Sequence, residues 1–134
     1  MSLISRNFSW TEMIWSETAE RQQIRNVPGE REEKALRRLV EEVLQPLRTA
    51  YGMPIRISSG YRCPELNKLV GGVASSQHLK GEAADCVVLD ATALLAVLLR
   101  EGILFDQAIL YQRSNFLHVS LRAVKNRKMV IVKR

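Results

Sequence analysis

Sulfur and imidazole are both scarce in this chain of 134 residues, which has two cysteines, Cys63 and Cys86, and two histidines, His78 and His118. Two cysteines cannot build a disulfide scaffold, and without a Cys-x-x-Cys pair there is no thiolate zinc knuckle. Seven glycines and four prolines are too few for a collagenous or low-complexity chain. Long apolar runs are missing too. The longest, Ala91 to Leu99, is interrupted by Thr92 and falls far short of the roughly 20 residues a bilayer span needs. The first ten residues carry one Arg and no apolar segment, so no signal peptide is expected.

What is present is ordinary for a globular protein: 46% hydrophobic and 25% charged residues, in a length that buries a core without staples. No internal repeat and no Pro-, Gly- or Ser-rich linker divides it, so one domain over residues 1–134 is expected, as a monomer. Charge is unevenly placed. All 14 Asp and Glu precede residue 107, while seven of the 20 Lys and Arg follow it. Such a basic segment attracts anionic polymers, whether nucleic acid, lipid or cell wall, or is simply a solvated pair of terminal strands. It has little aromatic interleaving and no recognisable motif, so nucleic acid is not the expected partner.

Ser9 followed by Glu12 reads as a capping box opening a helix through Trp10, Ile14 and Trp15 towards Arg21. Leu36, Leu39, Val40, Val43, Leu44 and Leu47 recur at helical spacing within Glu30 to Tyr51. Pro46 should kink or loosen one turn there, and Gly52 should stop the helix. Ile55 to Ser58 reads as a strand, and Glu65 to Val70, after Pro64, as a short helix. Gly71-Gly72 opens a loop reaching Gly81. A strand over Ala83 to Leu89 puts Ala83, Asp85 and Val87 on one face. Asp90 can cap a helix over Ala91 to Glu101, ended by Gly102. Strands near Gln107 to Tyr111, Phe116 to Leu121 and Lys128 to Val132 complete an α+β arrangement, helices first and then a mostly antiparallel sheet.

Asp85 is the anomaly in this pattern, a carboxylate inside the apolar stretch Ala83 to Leu89 that must be paired, hydrogen-bonded or bound to a metal. His78 lies seven residues earlier. On the strand Phe116 to Leu121, Leu117, Val119 and Leu121 share one face, and His118 and Ser120 share the other. If the Asp85 and His118 strands are neighbours, two imidazoles and one carboxylate converge into a three-ligand zinc site with one open position. On spacing alone a plainer arrangement fits as well: His78 in an exposed loop, His118 bonded to backbone, and Asp85 capping a turn.

Around these residues stand Ser58-Ser59-Gly60-Tyr61-Arg62, Asn67, Gly71-Gly72, Ser76-Gln77-His78, Gly81, Ala83-Ala84-Asp85 and His118-Val119-Ser120. Phe8-Ser9 with Glu12, Leu44-Gln45-Pro46-Leu47-Arg48, Phe105-Asp106-Gln107 and Asn126-Arg127 extend the pattern over nearly the whole chain. In order and spacing this set resembles the zinc D-Ala-D-Ala carboxypeptidases of bacterial and phage cell-wall metabolism, whose fold the hedgehog signalling domain shares. The resemblance implies N-terminal helices on a small, mostly antiparallel sheet. It also implies a zinc cofactor held by His78, Asp85 and His118, and a peptidoglycan peptide as substrate. Arg62 corresponds to the arginine that steadies the substrate carbonyl and oxyanion, a role suited to a fixed, always-charged fork. Ser76 corresponds to a serine that contacts substrate beside the metal. Tyr61, Asn67 and Gln77 read as loop-fixing residues, and Cys63 and Cys86 as structural ones.

The chain departs from that pattern at the general base, the carboxylate that takes a proton from the attacking water. The carboxypeptidase position falls on Asn115, the hedgehog-type position on Gln112, and neither amide can accept that proton. Asp106 or Glu82 could supply a carboxylate instead. Phe116 replaces a second histidine found in some relatives. Two functions follow as expectations. The first is a zinc peptidase cutting peptidoglycan stem peptides as a D,D-carboxypeptidase or endopeptidase. The second is a catalytically weak or silent zinc-containing module that binds cell wall. With no export signal, a phage or mobile-element product acting on the wall after release is expected.

Overall fold

The computed structural model describes residues 2–134. Two short strands, β1 (Leu3–Ser5) and β2 (Phe8–Ser9), pair antiparallel ahead of the first helix. This hairpin has no alternating pattern long enough to be read from sequence. The Gln45 side chain holds it from outside, accepting from Ser5 Oγ at 2.6 Å and from the Asn7 N–H at 2.9 Å.

Ser9 caps α1 (Trp10–Ile14) as expected, its hydroxyl accepting the Glu12 N–H at 3.1 Å. The reciprocal half of the box is not made. Glu12 reaches instead across to β3 (Arg56–Ser59), where its carboxylate accepts the Ile57 N–H at 3.3 Å. Burial raises the Glu12 pKa, and the Ile57 bond and Arg56 charge oppose that rise. The single helix expected up to Arg21 is in fact two. Trp15 turns extended, and the Ser16 hydroxyl recaps the chain by accepting the Ala19 N–H, starting α2 (Glu17–Arg21).

The long amphipathic stretch runs from α3 (Glu30–Leu39) through a π-helical turn (Val40–Leu44) into α4 (Gln45–Tyr51). Pro46 explains the wide turn. It offers no N–H, and its ring would collide with a carbonyl one normal turn back. The Gln45 N–H bonds back to the Val40 carbonyl, five residues away, so the helix loosens without breaking,. All six apolar residues predicted for its inner face, Leu36 to Leu47, are fully buried. Gly52 ends the helix in the left-handed conformation with φ of 76°, which glycine adopts without a Cβ penalty.

After β3 come α5 (Pro64–Leu69), a 3-10 turn at Gln77–Lys80, β4 (Ala83–Val87) and α6 (Ala91–Arg100), then β5 (Gln107–Tyr111), β6 (Phe116–Ser120) and β7 (Met129–Lys133). Sheet order is β3-β4-β6-β5-β7, antiparallel throughout except for the parallel β5–β7 pair. The architecture is therefore α+β, with a mostly antiparallel sheet.

Register sorts this sheet into two chemically different faces. Ile57, Cys86, Leu117 and Leu110 align across four strands, and Ala84, Val119 and Ala108 form the next buried row. This face joins the helices in one hydrophobic cluster. The opposite face carries Ser59, Asp85, His118 and Ile109 in a single row. Alternation along each strand thus puts the core on one side and the polar row on the other.

The loop after β3 is fastened to α1 by the Tyr61 N–H, which donates to the Met13 carbonyl at 2.9 Å. Approach there is so close that a Cβ at Gly60 would overlap that carbonyl. Gly60→Ala is expected to destabilise the fold by about 1–3 kcal/mol through overpacking, read as a lower urea midpoint. An unchanged midpoint would show that α1 is free to retreat.

Candidate metal centre

β4 and β6 place Asp85 directly opposite His118, and His118 Nδ1 lies 2.9 Å from Asp85 Oδ1. His78 arrives from the 3-10 turn, where the Ser76 hydroxyl accepts the His78 N–H at 3.2 Å and Gly81, with φ of 72°, closes the turn. Its Nε2 stands 3.5 Å from the same carboxylate oxygen. The two imidazoles meet edge to face, with centroids 5.1 Å apart. One ligand atom from each of His78, Asp85 and His118 lies within 4.8 Å of the others. The three residues expected to converge do so, and the plainer arrangement with an exposed His78 is not what the chain adopts: His78 is 2% exposed.

The donor set fits a metal ion. His78 Nδ1 lies 2.7 Å from the Gly60 carbonyl, which can only accept, so this nitrogen carries the ring proton. Nε2 is left facing the carboxylate at 3.5 Å, and with no proton on it this nitrogen offers a lone pair to a cation placed between the two,. A cation satisfies both, and a backbone carbonyl behind a ligating histidine is a usual way to fix its tautomer. Burial by itself would raise the Asp85 pKa. Hydrogen bonds from His118 and His78 and the charge of the imidazoles outweigh it, holding the carboxyl well below the usual range. Two imidazoles and one carboxylate with an open side suit zinc.

These three side chains lie in a cleft of about 410 Å³ that Arg62, Ser76, Gln107, Tyr111, Phe116 and Arg127 help to line. The Arg62 N–H donates to the His78 carbonyl at 3.1 Å, so the Arg62 and His78 segments brace each other. Among the described residues, Arg62 Nε is buried and has no hydrogen-bond partner. Burial lowers the Arg62 pKa and the Asp85 charge opposes that, but a guanidinium stays charged regardless. Arg62 is therefore a cation in the cleft with donors to spare. The Ser76 hydroxyl both bonds its own turn and borders the cleft.

Gln112 requires correction. It is exposed in the β5–β6 turn, its N–H bonded to the Lys133 carbonyl, and it does not line the cleft. Strand alternation explains this, because Tyr111 takes the cleft side and the next residue must leave it. Asn115 is spoken for elsewhere. Its amide accepts the Ala91 N–H at 2.9 Å and donates to the Leu89 carbonyl at 3.0 Å, stitching the approach to α6. Neither proposed substitute carboxylate reaches the cleft. Glu82 accepts from Gln77 Nε2 at 3.2 Å, and Asp106 is gripped by Arg127. Asp85 is the one carboxylate lining this cleft among the described residues. Phe116 stacks on Tyr111, with ring centroids 4.4 Å apart, as an apolar wall.

Sequence reasoning passed over Asn26. It is buried and fully bonded, with Nδ2 donating to the Ile14 and Tyr61 carbonyls at 2.7 and 2.9 Å and Oδ1 accepting the Cys63 N–H at 2.7 Å. It therefore anchors both flanks of Arg62, and no local pattern announces a lone loop asparagine. Asn67 fixes the other rim, Nδ2 donating to the Val73 carbonyl at 2.9 Å. Cys86 faces the core, and burial, aided by the Asp85 charge, pushes its thiol pKa up. It is a structural thiol.

A family model described as Peptidase M15 matches residues 6–120 of the chain. No curated protein matches it.

Because the folded protein holds the Asp85 pKa below its unfolded value near 3.8, its ionised form contributes stability above that value. The contribution is lost as pH falls through the depressed one. The metal-free protein should therefore lose stability in acid below about pH 4, and Asp85→Asn should flatten that part of the profile. Urea midpoints across the acid range check this; an identical slope in the variant would contradict it.

Proposed function

The chain belongs to the peptidase M15 family, and from that premise we propose that it is a zinc-dependent peptidase hydrolysing peptidoglycan stem peptides, as a D,D-carboxypeptidase or endopeptidase. The observation that carries the reading is the convergence of His78, Asp85 and His118 in an open cleft, with the far nitrogen of His78 committed to the Gly60 carbonyl. Zinc at three protein ligands supplies Lewis acidity and lowers the pKa of water to about 7.

The chain's own groups divide the remaining work. Asp85 and the two imidazoles would hold the ion, and because imidazole ligates only in its neutral form, affinity should rise with pH. Arg62 faces the same cleft with its free donors and stabilises the negative charge that develops on the substrate carbonyl oxygen. Ser76 orients the substrate beside His78. Tyr111 and Phe116 give the cleft an apolar wall for a peptide side chain.

A second reading has its own observation: among the described residues, no carboxylate other than Asp85 lines the cleft. General-base catalysis is worth about 10²–10⁴-fold, so without that group the chain hydrolyses slowly, or binds wall peptides without cutting them. Rate separates the two readings.

The first expectation is one equivalent of zinc by equilibrium dialysis, reduced at least a hundredfold in affinity by His118→Ala. The second is release of D-Ala from a peptide ending in D-Ala-D-Ala by the zinc-loaded protein, abolished by the same substitution. Zinc-loaded protein that cleaves no wall peptide would sink the enzyme reading and leave the binding one. Protein that takes up no zinc would sink both.

A further inference from the structure

Asp106 is completely buried, titratable and unused by the chemistry above. Its carboxylate is gripped by Arg127 three times: Nε donates to Oδ1 at 3.0 Å, Nη2 to Oδ2 at 2.7 Å, and the Arg127 backbone N–H to Oδ1 at 2.9 Å. Arg122 Nε stands 3.8 Å from Oδ2 as a second cation. The Arg127 bond is the main reason the Asp106 carboxyl sits below its ordinary range, with burial opposing it and Arg122 contributing least. Two guanidiniums thus share one carboxylate and leave a positive charge uncompensated.

A structural tie between the β6–β7 connection and the base of β5 explains the grip on Asp106. It does not explain where the rest of Arg127 lies. That side chain is 41% exposed and lines the same cleft as the metal ligands, beside Gln107. Asp106 uses one N–H at Nε and one at Nη2, so the outer N–H groups of the fork remain for a ligand. Bidentate pairing with a buried partner fixes the orientation of the fork in advance, so little order is lost when an anion arrives. Among the described residues no carboxylate in the cleft competes for it, because Asp85 is committed to the imidazoles.

We infer that Arg127 is a substrate-binding residue that takes a carboxylate of the peptide substrate, with Asp106 as its positioning residue. The inference rests on the peptidase reading for the nature of the ligand. It concerns a residue outside the matched stretch 6–120. It also gives the substrate a polarity. A second cleft, lined by Trp15, Ser58 and Ser59, shares Arg62 and Asp85 with the first, so a peptide has room on both sides of the metal ligands. The acid-bearing part lies on the Arg127 side, and the rest runs past Arg62 towards Trp15. A free carboxylate near the cleaved bond is thereby selected over a blocked one.

The test compares an N-acetylated tripeptide ending in D-Ala-D-Ala as the free acid and as its C-terminal amide. Binding is measured by calorimetry on both the metal-free and the zinc-loaded protein, so that the result does not depend on turnover. The free acid should bind about tenfold more tightly than the amide in both forms, as a charge-assisted hydrogen bond at a half-exposed site allows. Added salt should shrink the preference. The paired variant Asp106→Asn with Arg127→Gln exchanges the ion pair for two amides and avoids stranding a buried charge. It should bind both peptides equally, at the amide's affinity. Equal binding of acid and amide by the wild-type protein, which needs no variant to fold, overturns the inference. So does an acid preference that survives the paired substitution. Zinc-loaded protein that binds neither peptide overturns the peptide-substrate reading beneath it, an outcome distinct from either of these.

Discussion

The cross-strand register that sets Asp85 against His118 is the constraint on which the site depends. β4 lies between β3 and β6, so its backbone bonds leave it little freedom to slip, and a slip of one residue would send Asp85 into the core,. That slip is blocked because Ala84 and Cys86 already fill the buried face. The carboxylate therefore keeps its place through the packing of its strand neighbours as well as through its bond with His118. His118 inherits its position from the same ladder, whereas His78 comes from outside the sheet.

His78 has to be delivered by a loop, and several contacts unrelated to chemistry act together to deliver it. The Gly60 carbonyl fixes the ring, the Arg62 N–H holds the His78 carbonyl, and Asn26 pins the Arg62 segment from α1 and the start of α5. Gly60 can come close enough only because it lacks a Cβ where it meets Met13. α1 in turn is tied to β3 through Glu12. The N-terminal helices thus act as a clamp on the loop that carries His78 and the cleft arginine. Two imidazoles around one ionised carboxylate add stability only while that carboxylate stays charged,. As a metal site, the same arrangement has a clear use.

Much of this was legible in the sequence because it rests on local periodicity. The apolar spacing from Leu36 to Leu47, the alternation around Asp85 and His118, and the turn chemistry of Gly52 and Gly81 each declare themselves within a few residues. The α+β architecture and the three convergent residues follow from those signals together with the resemblance. Most of what escaped depends on contacts across long stretches of chain. Glu12 bonding β3 instead of its own cap and Asn26 bracing Arg62 depend on partners 12 to 45 residues away, whereas the break at Trp15 is local, the Ser16 hydroxyl recapping the chain at Ala19. Gln112 was misplaced for a simpler reason: counting back from His118 crosses a turn, whereas alternation along β5 from Ile109 through Tyr111 sends the next residue out of the cleft,. Arg127 enters the sequence reading only within the Asn126-Arg127 piece of the resemblance, with no role, and its hold on Asp106 at the cleft is what the sequence could not show.

That His78, Asp85 and His118 together form a zinc site is most directly tested by anomalous diffraction at the zinc absorption edge from crystals of the zinc-loaded protein. The expected result is one strong peak bonded to His78 Nε2, an Asp85 carboxylate oxygen and His118, with His78 Nδ1 still held by the Gly60 carbonyl. A map without that peak, or with zinc held by other residues, would contradict it.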